Sequence, residues 1–344
     1  MYNDRLYADG VHSMLLAEWE LLCNTPLVIR NGYHVAYTDN AQPKTKTRYH
    51  NLQLKWRDKI NQEYEVSSLH YGYEIRDAQV CSYHFVSPSS IRGALRSWSI
   101  RHLVHPALYP ALNPASNEDE EAVAAHKACV FKGLAQSDTG CELIASLFGL
   151  AADEGEADMP SNAGRLAIET ERFSRTELGP VDVGGVNMET SGGPSNVHRE
   201  MIARNPLDRM THAAVGGGLH RFLEVAPGAT FGVHLRIINP LDCDLGLLGL
   251  WVRELNDGML RIGALSSIGR GRMEVQNQAY ELWRRPNAPR LQGHAFIREE
   301  AGGKRNNDIL AGLWERYVVP SEALLKFADY LKNFTGGGDD ASLS

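Results

Sequence analysis

Apolar residues recur along this chain in two patterns, an alternating one typical of strands and a three-to-four-residue one typical of helices. Leu21 to Ile29 is apolar around a Thr25-Pro26 break and ends at Asn31-Gly32, which predicts a first strand. Tyr83 to Val86 predicts another strand, and a helical pattern follows it directly. Strands and helices that alternate in this way predict a fold that mixes both elements in one core.

The helix after this second strand carries a clear start signal. Ser87 is a residue type that caps helices, and Pro88 fits the first turn, where no backbone donor is lost. The inner face of the helix is expected to consist of Ile91, Leu95, Trp98 and Leu103.

The same helix start offers a candidate anion site. The amides of its first turn, with Ser89 and Ser90, can bind an anion, and Arg92 and Arg96 share one face that extends the positive charge. A capped amphipathic helix with solvated arginines explains the same residues.

Five further segments complete the pattern. They are a helix in Asn117–Leu147, a strand in Gly164–Ile168, a strand through Val233–Ile237, a helix in Asp242–Met259 and a strand at Met273–Val275. This order predicts a ferredoxin-like α+β core that carries large insertions.

Two segments fit neither pattern and are expected outside the core. Between Tyr33 and Glu74, aromatic residues alternate with cations, which suits a single-stranded nucleic-acid groove, although an exposed insertion explains it equally well. Val183 to Pro206 is rich in Gly, Ser and Asn, which predicts a protruding, mobile hairpin or loop. The tail from Gly336 to Asp340 is expected to be disordered.

Glycines and arginines alternate in residues 262–272, the glycine-arginine loop, directly before the last strand. Glycine lets a backbone approach a ligand and offer N–H groups, and arginine adds fixed positive charge. The loop lacks the Gly-Lys-Ser/Thr ending of a P-loop and the GxGxxG spacing of a dinucleotide site. A nucleic-acid backbone is therefore a better candidate ligand than a mononucleotide, and a plain surface turn is the alternative.

Size and composition fit an intracellular protein. The 344 residues suit one elaborated domain or two smaller ones, and 43% apolar residues suffice for a core. Five scattered cysteines show no CxxC pair, so we expect no metal site, no disulfide lattice and no cofactor. Without a signal peptide or a run of about 18 apolar residues, the chain is expected to be cytoplasmic with no membrane partner.

Charge is segregated along the chain. The net charge of −7 argues against a general basic coat, yet residues 30–59 hold seven Lys or Arg against two Asp. Glu118–Glu121 and Asp153–Asp158 contain acids and no base. We therefore expect a local basic face that binds phosphates and acidic segments on the solvent side.

Four short motifs occur in a fixed order. They are Ser87–Arg96, Leu147-Phe148-Gly149 with the Arg165-Leu166 strand, Asp208-Arg209-Met210-Thr211 through Phe231, and Gly263–Gly271. Together they resemble the RAMP (repeat-associated mysterious protein) superfamily, specifically the repeating backbone subunit of class 1 CRISPR effector complexes. The resemblance spans about residues 20 to 280, and within the family it is similar to the type IV subunit, a non-cleaving relative.

The resemblance implies an RRM-like, ferredoxin-like palm with fingers and a thumb. The implied ranges are 15–32, 75–182 and 207–285 for the palm, 33–74 for fingers, 183–206 for the thumb and 286–344 for an extension with a disordered tail. Such subunits stack as a filament on CRISPR RNA. The implied partners are that RNA, target DNA or RNA paired to it, other copies of the chain and other effector-complex subunits.

The resemblance also assigns residues to these parts. The expected RNA-binding residues are Ser89, Ser90, Arg92, Arg96, Arg209, Gly269, Arg270, Gly271 and Arg272. The expected thumb residues are Met188, Arg199 and Met201, with the methionines as wedges between bases. The expected fingers residues are Lys44, Lys46, Arg48 and Trp56.

Catalysis is the open question. In related type III subunits, an aspartate after the first strand supports metal-dependent RNA cleavage. Asp39 occupies that region in a longer loop without the flanking glycines, which favours a non-catalytic subunit with no bound metal. Type III-like cleavage through Asp39 is the alternative. A CRISPR RNA-processing endonuclease ranks last, because the chain lacks the usual arrangement of a catalytic histidine and a glycine-rich loop.

Overall fold

The computed structural model describes residues 10–38, 63–76, 79–103, 139–149, 163–173, 199–204, 220–299 and 314–331. Several expectations fall outside these residues. They concern Asp39, Lys44, Lys46, Arg48, Trp56, Glu118–Glu121, Asp153–Asp158, Met188, Arg209 and the tail from Gly336.

In chain order the strands are β1 (Ser13–Cys23), β2 (Arg30–Thr38), β3 (Glu63–Leu69), β4 (Tyr71–Arg76), β5 (Gln79–His84), β6 (Leu166–Phe173), β7 (Arg199–Arg204), β8 (His220–Val225), β9 (Thr230–Ile238), β10 (Met273–Arg284), β11 (Arg298–Glu299) and β12 (Glu315–Val318). The helices are α1 (Pro88–Leu103), α2 (Thr139–Phe148), α3 (Asp242–Asn256) and α4 (Ser321–Phe327). Short 3₁₀ turns lie at Ser266–Ile268, Gln292–Phe296 and Ala328–Leu331.

The fold mixes strands and helices, and the strands of its main sheet are antiparallel. Its six described strands have the order β11-β12-β10-β1-β9-β6, and every neighbouring pair is antiparallel. Four of these strands and two helices follow one another in sequence as β1, α1, β6, β9, α3 and β10. Within the sheet these four strands lie in the order β10-β1-β9-β6. With the strands numbered 1 to 4 in sequence order, the sheet order is 4-1-3-2.

β1 begins at Ser13, earlier than the expected start at Leu21. Its odd-numbered residues are buried, so one face packs on the core. Glu18 and Glu20 occupy the opposite face, and these charges hid the apolar alternation in the sequence. Asn31-Gly32 was expected to end a strand and instead lies inside β2.

A second sheet combines strands from the ranges that were assigned to the fingers, the thumb and the palm. Its order is β2-β3-β8-β7, and β4 and β5 form a separate antiparallel pair. β2 and β3 come from the range assigned to fingers, and β7 comes from the range assigned to the thumb. β7 pairs antiparallel with β8, which places Met201 opposite Leu223.

α1 begins where the sequence predicted. The carbonyl of Ser87 accepts the Ser90 amide at 2.9 Å, and the helix starts at Pro88. The predicted inner face is buried at Ile91, Leu95, Trp98 and Leu103. α3, in contrast, ends at Asn256 rather than at the expected Met259, whose side chain is 76% exposed.

The C-terminal extension is part of the main core. β12 pairs with β10, and α4 packs on α3 through buried Leu324 and Phe327. A Cβ atom on Gly246 of α3 would lie 2.5 Å from the Phe327 carbonyl oxygen, so the two backbones touch. Residues 314–331 are therefore an integral part of the fold.

A buried ion pair ties α3 to β6. Both Arg165 and Asp244 are almost fully buried, and the guanidinium donates to the carboxylate at 2.6 and 3.1 Å. Asp244 also accepts the Leu241 amide at 2.8 Å, and Arg165 Nε donates to Ser146 Oγ at 2.8 Å. The pair thereby joins β6, α2 and the start of α3.

Cys23, Cys141 and Cys243 are buried free thiols. Burial raises the pKa of the Cys23 thiol to about 12, so the thiol stays uncharged in the core. No helix within the described ranges is long and apolar enough to cross a membrane.

Candidate nucleic-acid interface

The start of α1 and the glycine-arginine loop meet in one open cleft of about 440 Å³, the α1 cleft. Residues 28–30, which join β1 to β2, form a third wall. The α1 wall consists of Ser89, Ser90, Gly93, Ala94, Ser97, Trp98 and Arg101. The opposite wall consists of Met259, Leu260, Arg261, Gly263 and Ala264. Two segments singled out in the sequence for phosphate binding thus share one surface.

The cleft is electrostatically one-sided. Arg30, Arg101 and Arg261 line it, and among the described residues no Asp or Glu does. The hydroxyls of Ser89, Ser90 and Ser97 add short polar groups to the α1 wall. Arginines with hydroxyl groups and no acid form a surface suited to phosphate oxygens.

The protein holds these arginines in place. Arg261 donates to the Gly258 carbonyl at 3.2 Å and to the Ser266 carbonyl at 2.9 Å. Arg101 Nε donates to the Ser97 carbonyl one turn earlier at 3.2 Å. The guanidinium carbon of Arg30 lies 5.6 Å from the centre of the Phe222 ring. These contacts already restrict the arginine side chains, so each one loses less conformational freedom when a ligand binds.

The amides of the glycine-arginine loop are engaged within the protein. Those of Gly269, Arg270 and Gly271 donate to the carbonyls of Ser266, Leu265 and Pro26 at 3.1, 3.3 and 3.0 Å. The expectation that the loop offers these N–H groups to phosphate is therefore wrong. Its glycines serve the shape of the turn instead, with φ of +88° at Gly269 and +74° at Gly271.

Substitution of the two glycines is expected to destabilise the protein by different amounts. A Cβ atom at Gly271 would lie 2.0 Å from the Ile262 carbonyl oxygen, whereas one at Gly269 meets nothing within 4 Å. We expect Gly269→Ala to lower the free energy of unfolding by about 1 kcal/mol, from strain alone. We expect Gly271→Ala to lower it by roughly 2–6 kcal/mol, because the clash adds to the strain. Urea unfolding measures both, and equal losses would contradict this difference.

Arg92 has a structural role that the sequence did not reveal. Its Nη1 donates to the Leu166 carbonyl at 2.8 Å, and its Nη2 donates to the Phe148 carbonyl. Phe148 is the last residue of α2, where a cation is favoured by the helix dipole. Arg92 therefore fastens α1 to α2 and β6, and its contact with RNA stays a prediction. Arg96 lies off the cleft wall, and its contact with RNA stays a prediction.

Arg101 occupies the position expected for Arg92 and Arg96. Residues 90, 93, 94, 97 and 101 recur at helical spacing along the cleft wall, so a polar, small-residue stripe was the available sequence signal. Arg30 and Arg261 were not singled out, because they come from elements far apart in the chain. Met259 was assigned to the apolar face of α3, and it instead stands exposed at the cleft.

The remaining candidates are not among the residues that line the cleft. Arg270 Nε donates to Glu224 at 3.3 Å. The amide of Arg272 donates to Thr25 Oγ1 at 3.0 Å, and its exposed side chain passes over Gly258. RNA contacts by these arginines, and thumb roles for Arg199 and Met201 in β7, stay predictions.

The open face of the main sheet carries the opposite charge. Its exposed and half-buried side chains include Glu18, Glu20, Glu169, Glu171 and Glu274. His234 lies among them, with Nε2 at 2.9 Å from Glu171. Glu281, Arg236 and Arg316 share this face, so carboxylates outnumber arginines on it and the face repels a phosphate backbone. Nucleic acid is therefore expected at the cleft rather than on this sheet face.

No group of three or more His, Cys, Asp or Glu side chains that could hold a metal ion occurs within the ranges that the structure covers. Asp39 lies outside those ranges.

Comparisons with known proteins give one family match. The model of the family described as "RAMPs: RAMP superfamily" matches residues 20–274. Among solved structures, the chain is similar to one titled "Type IV-B CRISPR Complex" with 14% sequence identity and a TM-score of 0.41. That alignment covers 80% of this chain and 92% of the other. No curated protein matches the chain.

Proposed function

Because residues 20–274 match its family model, the chain belongs to the RAMP superfamily, and on that premise we propose that it is a CRISPR RNA-binding backbone subunit of a type IV-like effector complex. The α1 cleft is the observation that carries this proposal. It brings residues of two family motifs together, Ser89, Ser90, Gly93 and Ala94 from one and Gly263 with Ala264 from the other, and three further arginines line it with no acid among its described residues.

The fold supports the same proposal. The sequence order β1-α1-β6-β9-α3-β10 and the sheet order β10-β1-β9-β6 correspond to a ferredoxin-like palm. The cleft lies where the palm, the loop before β10 and the chain between β1 and β2 meet. The second sheet, which contains β7, supports an arm that leaves the palm at β8.

The chemistry of the cleft suits backbone binding. Arginines that meet phosphate oxygens hold a strand without reading its bases. The bases of the guide then stay available to pair with target DNA or RNA, so sequence specificity belongs to the guide. Further copies of the chain, stacked along the RNA with other effector subunits, would present one continuous guide.

Assembly on RNA provides the test of this function. We expect RNA affinity to fall with salt with a logarithmic slope of about −2 or steeper, since three arginines release about 0.7 counterions each on a single strand. Native mass spectrometry should show the number of subunits rising with guide length. Salt-independent binding, or a mass of one subunit at every guide length, would contradict the proposal.

We also propose that the subunit itself does not cut RNA. Guide and complementary RNA incubated with Mg²⁺ or Mn²⁺ should stay intact. Regularly spaced cuts that disappear in Asp39→Ala would instead assign the chain to the type III-like class.

A further inference from the structure

The two faces of β8 are both buried, but against different surroundings. Leu223 and Val225 point into the main apolar core, to which both belong. Phe222 and Glu224 occupy the other face of the strand, because alternate residues share a face. Each is 2% exposed, yet Phe222 is not part of the main core. A phenyl ring and a carboxylate are thus buried side by side outside the core.

An arginine from another element covers each of these two residues. The guanidinium of Arg30, from β2, lies over the Phe222 ring at 5.6 Å. Arg270, from the glycine-arginine loop, donates from Nε to Glu224 at 3.3 Å. Burial of a carboxylate is costly unless it is paired, so the hydrogen bond from Arg270 helps to offset the cost of burying Glu224. The Arg270 side chain is 26% exposed and Glu224 only 2%, so the cation lies on the solvent side of the pair.

This arrangement holds the two arginines in place and uses few of their N–H hydrogen-bond donors. Among the described residues, Arg270 uses only Nε in a side-chain hydrogen bond, which leaves four of the five N–H donors of a guanidinium. Arg30 is held through its face by the ring, which requires none of its donors. Arg30 also lines the α1 cleft, and the partners of the two arginines, Phe222 and Glu224, are neighbours on one face of β8.

We propose that Phe222 and Glu224 are positioning residues that hold Arg30 and Arg270 as a prearranged pair of cations for phosphates of the bound guide strand. This inference rests on the function proposed above and deepens it. It extends the phosphate path from the α1 cleft to the second sheet. It also gives the buried Glu224, an acid beside an RNA path, a positive role in binding RNA.

The sign of one substitution separates this role from simple electrostatics. Glu224→Gln removes a negative charge near the RNA, so charge alone predicts tighter binding. The neutral amide is a weaker acceptor than the carboxylate, so it holds Arg270 less firmly, and the inference predicts weaker binding, by about tenfold. Glu281→Gln is the matched control, because Glu281 pairs with Arg316 at the far side of the main sheet, and it should bind RNA normally.

The experiment is a double-mutant cycle on the full chain. RNA affinity across several salts is measured for the unaltered chain, Glu224→Gln, Arg270→Ala and both together. We expect Arg270→Ala to weaken binding about tenfold and to reduce the salt slope by about 0.7. The double variant should bind no worse than Arg270→Ala, because Glu224 acts through that arginine. An equal loss from Glu224→Gln with and without Arg270 would overturn the inference.

Arg270→Lys tests the same idea at a half-exposed position that places little burden on folding. It keeps the charge but loses the Nε donor and the planar fork. We expect it to weaken RNA binding nearly as much as Arg270→Ala, and unchanged affinity would overturn the inference. If Gly93→Glu in the α1 cleft abolishes RNA binding while Glu224→Gln and Arg270→Lys have no effect, only the inference fails. If the unaltered chain binds no RNA, the proposed function fails and the inference with it.

Discussion

Gly93→Glu is expected to abolish RNA binding and to make the protein slightly more stable. Gly93 lines the α1 cleft on an exposed turn of α1, and a Cβ atom there meets nothing within 4 Å. Replacing a mid-helix glycine with a good helix former should raise the free energy of unfolding by about 0.5–1 kcal/mol. The new carboxylate pairs with the cleft arginines and repels phosphate, so we expect at least a 100-fold loss of RNA affinity, since such like-charge contacts cost about 3 kcal/mol or more.

Two controls isolate the charge. Gly93→Gln has nearly the same shape as Gly93→Glu and should lose only a few-fold in affinity. Gln276→Glu adds the same charge on the open face of the main sheet and should bind RNA like the unaltered chain. Fluorescence anisotropy with a labelled guide measures affinity, and urea unfolding measures stability. If Gly93→Gln and Gly93→Glu weaken binding equally, bulk rather than charge is responsible, and the cleft loses its electrostatic argument.

Asp244→Ala should be the most damaging single substitution for the fold. It leaves the buried guanidinium of Arg165 without its carboxylate and the Leu241 amide without its acceptor. Loss of one partner from a buried pair costs about 3–5 kcal/mol, a large share of the stability of most domains. We expect a correspondingly lower urea midpoint, or failure to fold at 37 °C.

The matched control is Asp257→Ala, on the exposed C-terminal cap of the same helix. We expect it to change the free energy of unfolding by less than about 0.5 kcal/mol. The double variant Arg165→Met with Asp244→Leu should recover part of the loss, because it removes both charges together. A loss from Asp244→Ala as small as that from Asp257→Ala would show that the pair is not needed for the fold.

Local signals in the sequence predicted the elements well. Ser87 and Pro88 fixed the start of α1, and the apolar spacing after them identified its buried face. The order of the palm strands and helices also followed from periodicity. The early half of β1 was missed, because Glu18 and Glu20 on its open face resemble a solvated segment.

The candidate site was less predictable, because its side chains meet across long stretches of chain. Arg92 looked like a solvated cation, but its carbonyl partners lie 56 and 74 residues away. Arg30 and Arg261 have no local pattern that marks them, and only folding places them opposite Arg101. The amides of the glycine-arginine loop seemed available because the sequence cannot show that Pro26 and Leu265 accept two of them. Local chemistry thus identified two segments that line the cleft but few of the side chains that line it.

On the function proposed above, the acidic open face of the main sheet has a consequence for how a complex that holds its guide RNA would meet chromosomal DNA. Non-specific binding to duplex DNA depends largely on phosphate contacts, so the open face of the main sheet, which is rich in carboxylates, binds such DNA poorly. At physiological salt its repulsion reaches only about 8 Å, so it does not deter a strand that approaches the guide from the other side. A complex with such a face should have a short residence time on DNA of random sequence. Strands that stay would do so because they pair.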